Sequence, residues 1–486
     1  MVGNLDQASP VYTMKHEEGL DKTINYLLPA AAGIVALLLY GITMASDLTW
    51  SHFGGDGGEL ITASVTWGIP HPPGYPTYVV LGKLFDLIPV GTVAWRFNLM
   101  SAVAAAVTTA FITSTALNTL EGKRNREIVS LATGLTVAFA PLFWSQAIIA
   151  EVYALNTAFL AIFLWSLLGQ RSPLNSGLFL GLAVTSHLSS LLLLPLALLL
   201  VPRSGWKYLV AGLLIGLTPL LILPVLAASN SPVKWGDPAT LSGWWWLVSG
   251  RLYHANLRLP ESGDAWAKLG SMSGILAKQF LYAGWLLAAL GISTGIVDRL
   301  TTLALTAAAL LYFVYGFLYQ TDDAVIQLLP ALLLLSPLLA AGLSRLGSWS
   351  LLLPLGLLLI NFQVLNLHNE NEVRPLAANI LTAAPQNTVL LTPGDQSIFA
   401  LWYYHHVEEL RPDLAVVDAG LLAFDWYRRH IGEQYPDLTA LQQDDVEAFR
   451  AENGRSRPVC DVAPALGGLS GCTTAPSPGT GQETGG

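Results

Sequence analysis

Residues 177–201 read GLFLGLAVTSHLSSLLLLPLALLLV. The stretch is as long as a membrane span, which needs about 20 mostly apolar residues to cross a hydrocarbon core about 30 Å thick. Yet Ser186-His187-Leu188-Ser189-Ser190 interrupts it at the middle. Polar backbone at that depth is tolerated only where it faces protein or a water-filled cavity. The segment therefore reads as two half-length helices that meet at 186–190 and leave on the side they entered.

The neighbouring loops lead to the same reading. Apolar runs near 24–44, 98–119, 128–146, 152–169, 208–228, 275–296, 301–319, 325–343 and 349–366 each read as a full span. Short cytoplasmic loops are the Lys/Arg-rich ones. Lys123, Arg124 and Arg126 share one short loop; Arg171 lies in another, Arg203 and Lys207 in a third, and Arg299 and Arg345 in two more. All of them fall on one side only if 177–201 does not cross. The N-terminus is then cytoplasmic, while 45–97, 147–151, 229–274 and everything after about 367 lie outside. Ahead of residue 24, Asp6, Lys15, Glu17, Glu18, Asp21 and Lys22 form no compact basic region, and no small-residue cleavage site follows, so the first span reads as uncleaved.

Composition agrees. Of 486 residues 53% are hydrophobic and 12% charged, and mean hydropathy is +0.51. Soluble proteins carry about 25% charged residues, so a soluble enzyme is a poor fit, and a disordered chain is a worse one. With 24 Lys+Arg against 33 Asp+Glu and a net charge of -9, nothing favours nucleic-acid binding. The expected architecture is a polytopic α-helical membrane protein with about nine full spans, a half-helix hairpin and a small extracytoplasmic α/β C-terminal domain. Its parts are a cytoplasmic tail at 1–23, a transmembrane domain at 24–366, the α/β domain at 367–450 and a flexible Pro/Gly/Ser/Thr-rich tail at 451–486. Within the α/β domain, strands are predicted at 387–392 and 414–418, with helices at 396–410 and 425–431. Cys460 and Cys472 lie outside the membrane, where a disulfide suits an oxidising compartment; two free thiols also fit.

Loop 45–97 carries most of the polar candidates. Gly54-Gly55-Asp56-Gly57-Gly58-Glu59 places two carboxylates three residues apart among four glycines. A helix starting after the glycines would put Asp56 at its N-cap and Glu59 at N3, a capping arrangement. That suffices for Glu59 as well as a functional role does. For Asp56 the flanking glycines favour close approach of a substrate. His71-Pro72-Pro73-Gly74-Tyr75-Pro76 is a rigid turn that places His71 and Tyr75 at the membrane surface. Residues 77–89 follow as an interfacial amphipathic helix with Lys83 and Asp86 on its polar side. Arg96, at the mouth of the second span, reads equally as a snorkelling side chain or as a phosphate contact. Glu151, Tyr153 and Asn156 sit at the outer end of a later hairpin, where Glu151 also reads as a helix cap. Asn156 and His187 are intramembrane polar groups, which usually face a cavity or one another. A structural hydrogen bond explains His187 more readily than a ligand role does, and the outer pair Asp322-Asp323 reads as a solvated turn. No HExxH, CxxC pair or clustered His/Asp set signals a metal, and no nucleotide-binding loop appears.

With those residues in view, the chain resembles the GT-C superfamily of membrane glycosyltransferases, and within it a protein O-mannosyltransferase-like multi-spanning family. The likeness is carried by GDGGELITASVTWGIPHPPGYPTYVVLGKLF, WRFNL, AEVYALN at 150–156, TSHLSSLLLLP at 185–195, LLPALLLL near 328, GDQSIFALWYYHHVEELRPDLAVVD and DWY at 425–427. It covers the chain from the first span to about residue 430. The family shows Asn where Ser186 stands, so Ser186 is given no role. The resemblance implies inverting transfer of a sugar, with mannose entering only through the family, from a polyprenyl-phosphate donor to an acceptor hydroxyl outside. It implies Asp56 as base, Glu59 as its orienting partner or the acceptor's, and Arg96 with His71 or His187 on the phosphate. Tyr75, Glu151, Tyr153 and Asn156 are further substrate-binding candidates. No cofactor or metal is called for. The partners implied are the lipid-linked sugar, membrane lipids and a protein, lipid or glycan acceptor. Two other readings share these features: a transporter or flippase for lipid-linked sugars, and a non-catalytic subunit of a membrane complex. The short acidic chain reads as bacterial, in an inner or plasma membrane.

Overall fold

The computed structural model describes residues 10–261, 263–442 and 444–473. Each apolar run expected to span is helical along most of its length. Six helices are long and apolar enough to cross a membrane: Thr23–Thr43, Val93–Thr119, Arg203–Ala227, Arg299–Leu318, Ala324–Leu343 and Gly347–Leu365. Two more candidates are bent pairs. Arg126–Ala138 meets Pro141–Ala147 at 68°, and Asp264–Gln279 meets Ala283–Ser293 at 79°. At the first bend Pro141 lacks a donor and holds Ala140 extended, so the helix restarts there. Val152–Leu168 is apolar but only 17 residues long. The chain is thus a polytopic helical membrane protein with six to eight such spans among the described residues.

The break inside 177–201 is present. The helix Pro173–Ser186 ends at His187, whose backbone is extended (φ -161°, ψ 124°), before a tight turn at Leu188–Leu193 and a short helix, Leu194–Leu200. Neighbouring helices satisfy the polar groups this frees. Asn156 Nδ2 donates to the Ala183 carbonyl at 2.9 Å and to Ser190 Oγ at 2.7 Å, and Tyr312 OH donates to the Ser189 carbonyl at 3.0 Å. Such side-chain repair is what allows an irregular backbone at membrane depth. Small residues bring the next helix close: a Cβ on Gly177 would fall 2.0 Å from the Leu209 carbonyl, and one on Gly212 2.0 Å from that of Leu174.

Beyond the bundle lies a four-stranded sheet of order β2-β1-β3-β4. β1 (Val389–Thr392) pairs in parallel with β2 (Ala415–Asp418) and with β3 (Val459–Val462), and β4 (Leu469–Ser470) closes the edge antiparallel. Here the structure corrects the sequence reading. Residues 459–470 belong to the sheet, not to a flexible tail beginning at 451, because Leu390 and Leu391 need a partner on their second side. Cys460 and Cys472 are joined in a disulfide (S–S 2.05 Å). Residues 1–9 and 474–486 of the two expected tails lie outside the described residues.

This piece is clamped to the loop between the first two spans. The Arg374 guanidinium pairs with the buried Asp47 carboxylate and takes both oxygens of Glu408, at 2.5 and 2.7 Å. The Tyr403 hydroxyl accepts the Ala94 N–H at 3.2 Å and donates to Glu408 at 3.0 Å. As a result, the helix Asp395–Trp402 packs on Gly57–Thr66, where a Cβ on Gly58 would lie 2.2 Å from the Phe399 carbonyl oxygen. The glycines of this loop therefore have a packing reason. Gly54, Gly57 and Gly58 are approached by backbone of the protein itself, and only Gly55 faces open space.

Candidate active site

The Gly-rich loop folds as a tight turn, Ser51–Asp56, running directly into the helix Gly57–Thr66. Asp56 occupies the N-cap position, but its side chain makes no capping hydrogen bond. It is instead 39% exposed on the wall of a cavity of about 780 Å³. Glu59, one turn on, is fully buried. Its Oε1 accepts the His71 backbone N–H at 3.1 Å, and its Oε2 lies 2.5 Å from His71 Nδ1. The other ring nitrogen of His71 lies 3.1 Å from the Tyr75 hydroxyl and 3.7 Å from Asp56 Oδ2. Aromatic rings hold the imidazole in place, with Phe399 parallel to it at 6.3 Å and Trp235 edge-on at 6.1 Å.

Recessed carboxylates are hard to ionise. Burial pushes Asp56 up to about 7, with Glu59, Asp323 and Asp395 adding repulsion and His71 opposing. Burial works against a charge on His71, but Glu59 and then Asp56 outweigh it and raise it to about 9. Glu59 is raised by burial against the pull of His71. At neutral pH the site thus holds an imidazolium beside a carboxylate poised to gain or lose a proton.

Of the residues singled out in the sequence, Asp56, His71, Tyr75, Tyr153 and His187 line this one cavity. Glu59 stands behind His71. His187 Nδ1 lies 2.8 Å from Ser189 Oγ at the helix break, and the Tyr153 ring is 5.3 Å from its own. Three others, like Glu59, are not on the wall. Arg96 is turned away; its guanidinium donates to the carbonyls of Asp86 (2.8 Å), Val90 (3.1 Å) and Gly91 (3.3 Å), folding that turn onto its helix. Arg96 is therefore engaged within the chain and is absent from the cavity lining. Asn156 braces the helix break. Glu151 is buried at the start of Val152–Leu168 without capping it, and its Oε1 has no hydrogen-bond partner among the described residues.

Other wall residues escaped the sequence reading. Asp323, read there as part of a solvated turn, lines the cavity and accepts the Tyr153 hydroxyl at 2.9 Å. Asp395 and Phe399 come from the C-terminal piece, and Tyr253 and His254 from the segment that follows the span Arg203–Ala227. The predicted strand at 387–392 and helix at 396–410 leave Asp395 in the short connection between them, with no local sign of the surface it meets. Among the described residues no three His, Cys, Asp or Glu side chains group as metal ligands.

Comparison with known proteins follows the same geography. Residues 56–209 match the family model for the protein O-mannosyl-transferase TMEM260 N-terminal domain, and 373–444 that for TMEM260-associated domain 2. Over 450 residues the chain is 27% identical to the protein O-mannosyl-transferase TMEM260 of Mus musculus, covering 76% of this chain and 60% of that protein. Over 260 residues it is 28% identical to protein O-mannosyl-transferase tmem260 of Dictyostelium discoideum, covering 46% and 31%. The chain thus spans at most 60% of the length of these relatives. Its fold is that of ArnT from Cupriavidus metallidurans, solved with undecaprenyl phosphate bound, at a TM-score of 0.55 and 12% identity over 90% of this chain and 92% of that one.

Proposed function

We propose that this chain is a membrane glycosyltransferase of the GT-C, protein O-mannosyltransferase-like kind, moving mannose from a polyprenyl phosphate to a protein hydroxyl on the extracytoplasmic face. One observation carries the reading: Asp56, freed from capping and tuned to about 7, faces a cavity large enough for a sugar and an acceptor side chain together. A general base works best with a pKa near the operating pH.

In this reading the acceptor oxygen attacks the anomeric carbon as Asp56 takes its proton. The bond from that carbon to the phosphate oxygen breaks on the opposite face, and polyprenyl phosphate leaves with the electron pair. Inversion follows from the single displacement. Glu59 fixes His71 as a cation, and His71 in turn holds Asp56 in place and keeps it ionised. His187 and Ser189, at the helix break, offer donors to the phosphate oxygens as charge develops there. Leu188, Leu191, Leu192 and Leu257 continue the wall, and Leu191 and Leu257 are about half exposed, so an apolar path leads from the site to the outside of the bundle for the polyprenyl tail.

The topology proposed from the basic loops puts the cavity and the sheet outside the cytoplasm. The disulfide between Cys460 and Cys472 suits the oxidising side. Supply of labelled polyprenyl-phosphate mannose to membranes containing the chain tests the reading. Label should pass to protein as an alkali-labile, hydroxyl-linked sugar. Label that only crosses the bilayer, still on its lipid, would replace the transferase with a transporter.

A further inference from the structure

The C-terminal piece supplies part of the cavity wall, and Asp395 is its charged contribution. Asp395 opens the helix Asp395–Trp402 directly after Gly394. Its carboxylate makes no hydrogen bond or ion pair among the described residues, whereas the other acidic groups of the wall are engaged: Asp323 by the Tyr153 hydroxyl, Asp56 by His71 at 3.7 Å. The helix has no freedom to swing it elsewhere. Gly58 leaves no room for a Cβ beneath Phe399, Phe399 lies parallel to the His71 ring, and the Arg374 clamp holds the piece on the first loop.

The charge balance of the cavity is unfavourable as it stands. Asp56, Asp323 and Asp395 face it with His71, His187 and His254, and among the described residues no Lys or Arg lies on the wall. A phosphate-linked donor adds a further negative charge. Like charges gathered on one wall repel one another and the phosphate, and a second substrate bearing positive charge would relieve both.

Resting on the transferase reading, we propose that Asp395 is the acceptor-reading residue, and that the preferred acceptor is a polypeptide carrying Lys or Arg beside the hydroxyl-bearing residue. Asp395 pairs with that cation and sets the hydroxyl against Asp56. The soluble piece is then a specificity element of the membrane enzyme.

The test uses the full chain in membranes, labelled polyprenyl-phosphate mannose, and synthetic peptides with one threonine flanked by lysines, alanines or glutamates. The ratio of kcat/KM between peptides is read within each variant, so a change in total activity does not enter. Wild type should favour lysine over glutamate flanks by up to about fivefold, the most a single exposed charge pair gives. D395N should bring the ratio close to one, and D395K should invert it. A wild type that transfers mannose but ranks the peptides equally, or a D395N that keeps the wild-type ratio, overturns this inference and leaves the transferase standing. A wild type that transfers to no peptide and no membrane protein overturns the transferase reading, and this inference with it.

Discussion

His71 bridges two carboxylates that differ in surroundings: its Nδ1 lies 2.5 Å from Glu59, which is fully buried, and its Nε2 lies 3.7 Å from Asp56, which opens onto the cavity. The two roles follow from this difference. Glu59 has no route to substrate and can act only on His71. Asp56 can reach the cavity, and its charge is set by the imidazolium it faces.

The pH dependence of transfer should be bell-shaped. Asp56 must lose its proton to act, so the rate rises with pH through about 7. His71 must keep its proton to hold Asp56, so the rate falls through about 9. Glu59→Gln removes the largest support of the His71 charge, so the alkaline limb should move to lower pH. Rates of label transfer between about pH 5.5 and about pH 10, at least about one unit beyond each limb, check both. An alkaline limb unmoved in the variant would detach His71 from the mechanism.

Gly58→Ala places a methyl group 2.2 Å from the Phe399 carbonyl oxygen, with backbone, not a flexible side chain, in the way. Overpacking of this kind costs about 1–3 kcal/mol. Melting of the detergent-solubilised protein should shift down accordingly. Transfer should fall as well, because the displaced helix carries Phe399 and Asp395 off the cavity wall. Gly55→Ala, where nothing lies within 4 Å, should do neither.

Arg374→Ala strands the buried Asp47 carboxylate, 8% exposed, and leaves Glu408 without its bidentate partner. Arg374 itself is 35% exposed, so water softens the loss to about 1–3 kcal/mol. The loss falls on the docking of the C-terminal piece, so limited proteolysis should cut between the last span and β1 faster than in wild type. Arg374→Lys should rescue only part of this, since a point charge cannot reproduce the fork that meets Glu408.

Membrane character was legible from residue counts alone, because a span is a local property of about 20 residues. So was the break at 187, since polar residues in an apolar run have to be explained where they stand. The sequence also singled out Asp56, His71, Tyr75, Tyr153 and His187, which the fold brings to one wall. What escaped was relational. Position alone leaves Arg96 equally able to snorkel or to meet a phosphate, and only the fold shows its guanidinium over the 86–91 turn; likewise Asn156 reads as facing a cavity or another polar group, and only the fold supplies its partners at 183 and 190. Asp395 lies more than three hundred residues from Asp56 in the chain, and no periodicity couples the two. β3 was hidden by the Pro, Gly, Ser and Thr around Val459–Val462, which mask a four-residue strand whose partner lies about seventy residues earlier.

The most direct measurement is the single-turnover rate of mannose transfer from polyprenyl phosphate by wild type and by Asp56→Asn in matched membranes. Asparagine keeps the shape and the loop, and removes only the proton acceptor. A fall of about 10²–10⁴-fold, the usual contribution of a general base, with the melting temperature unchanged, is the predicted result. A variant that transfers mannose at the wild-type rate would show that Asp56 is not the base.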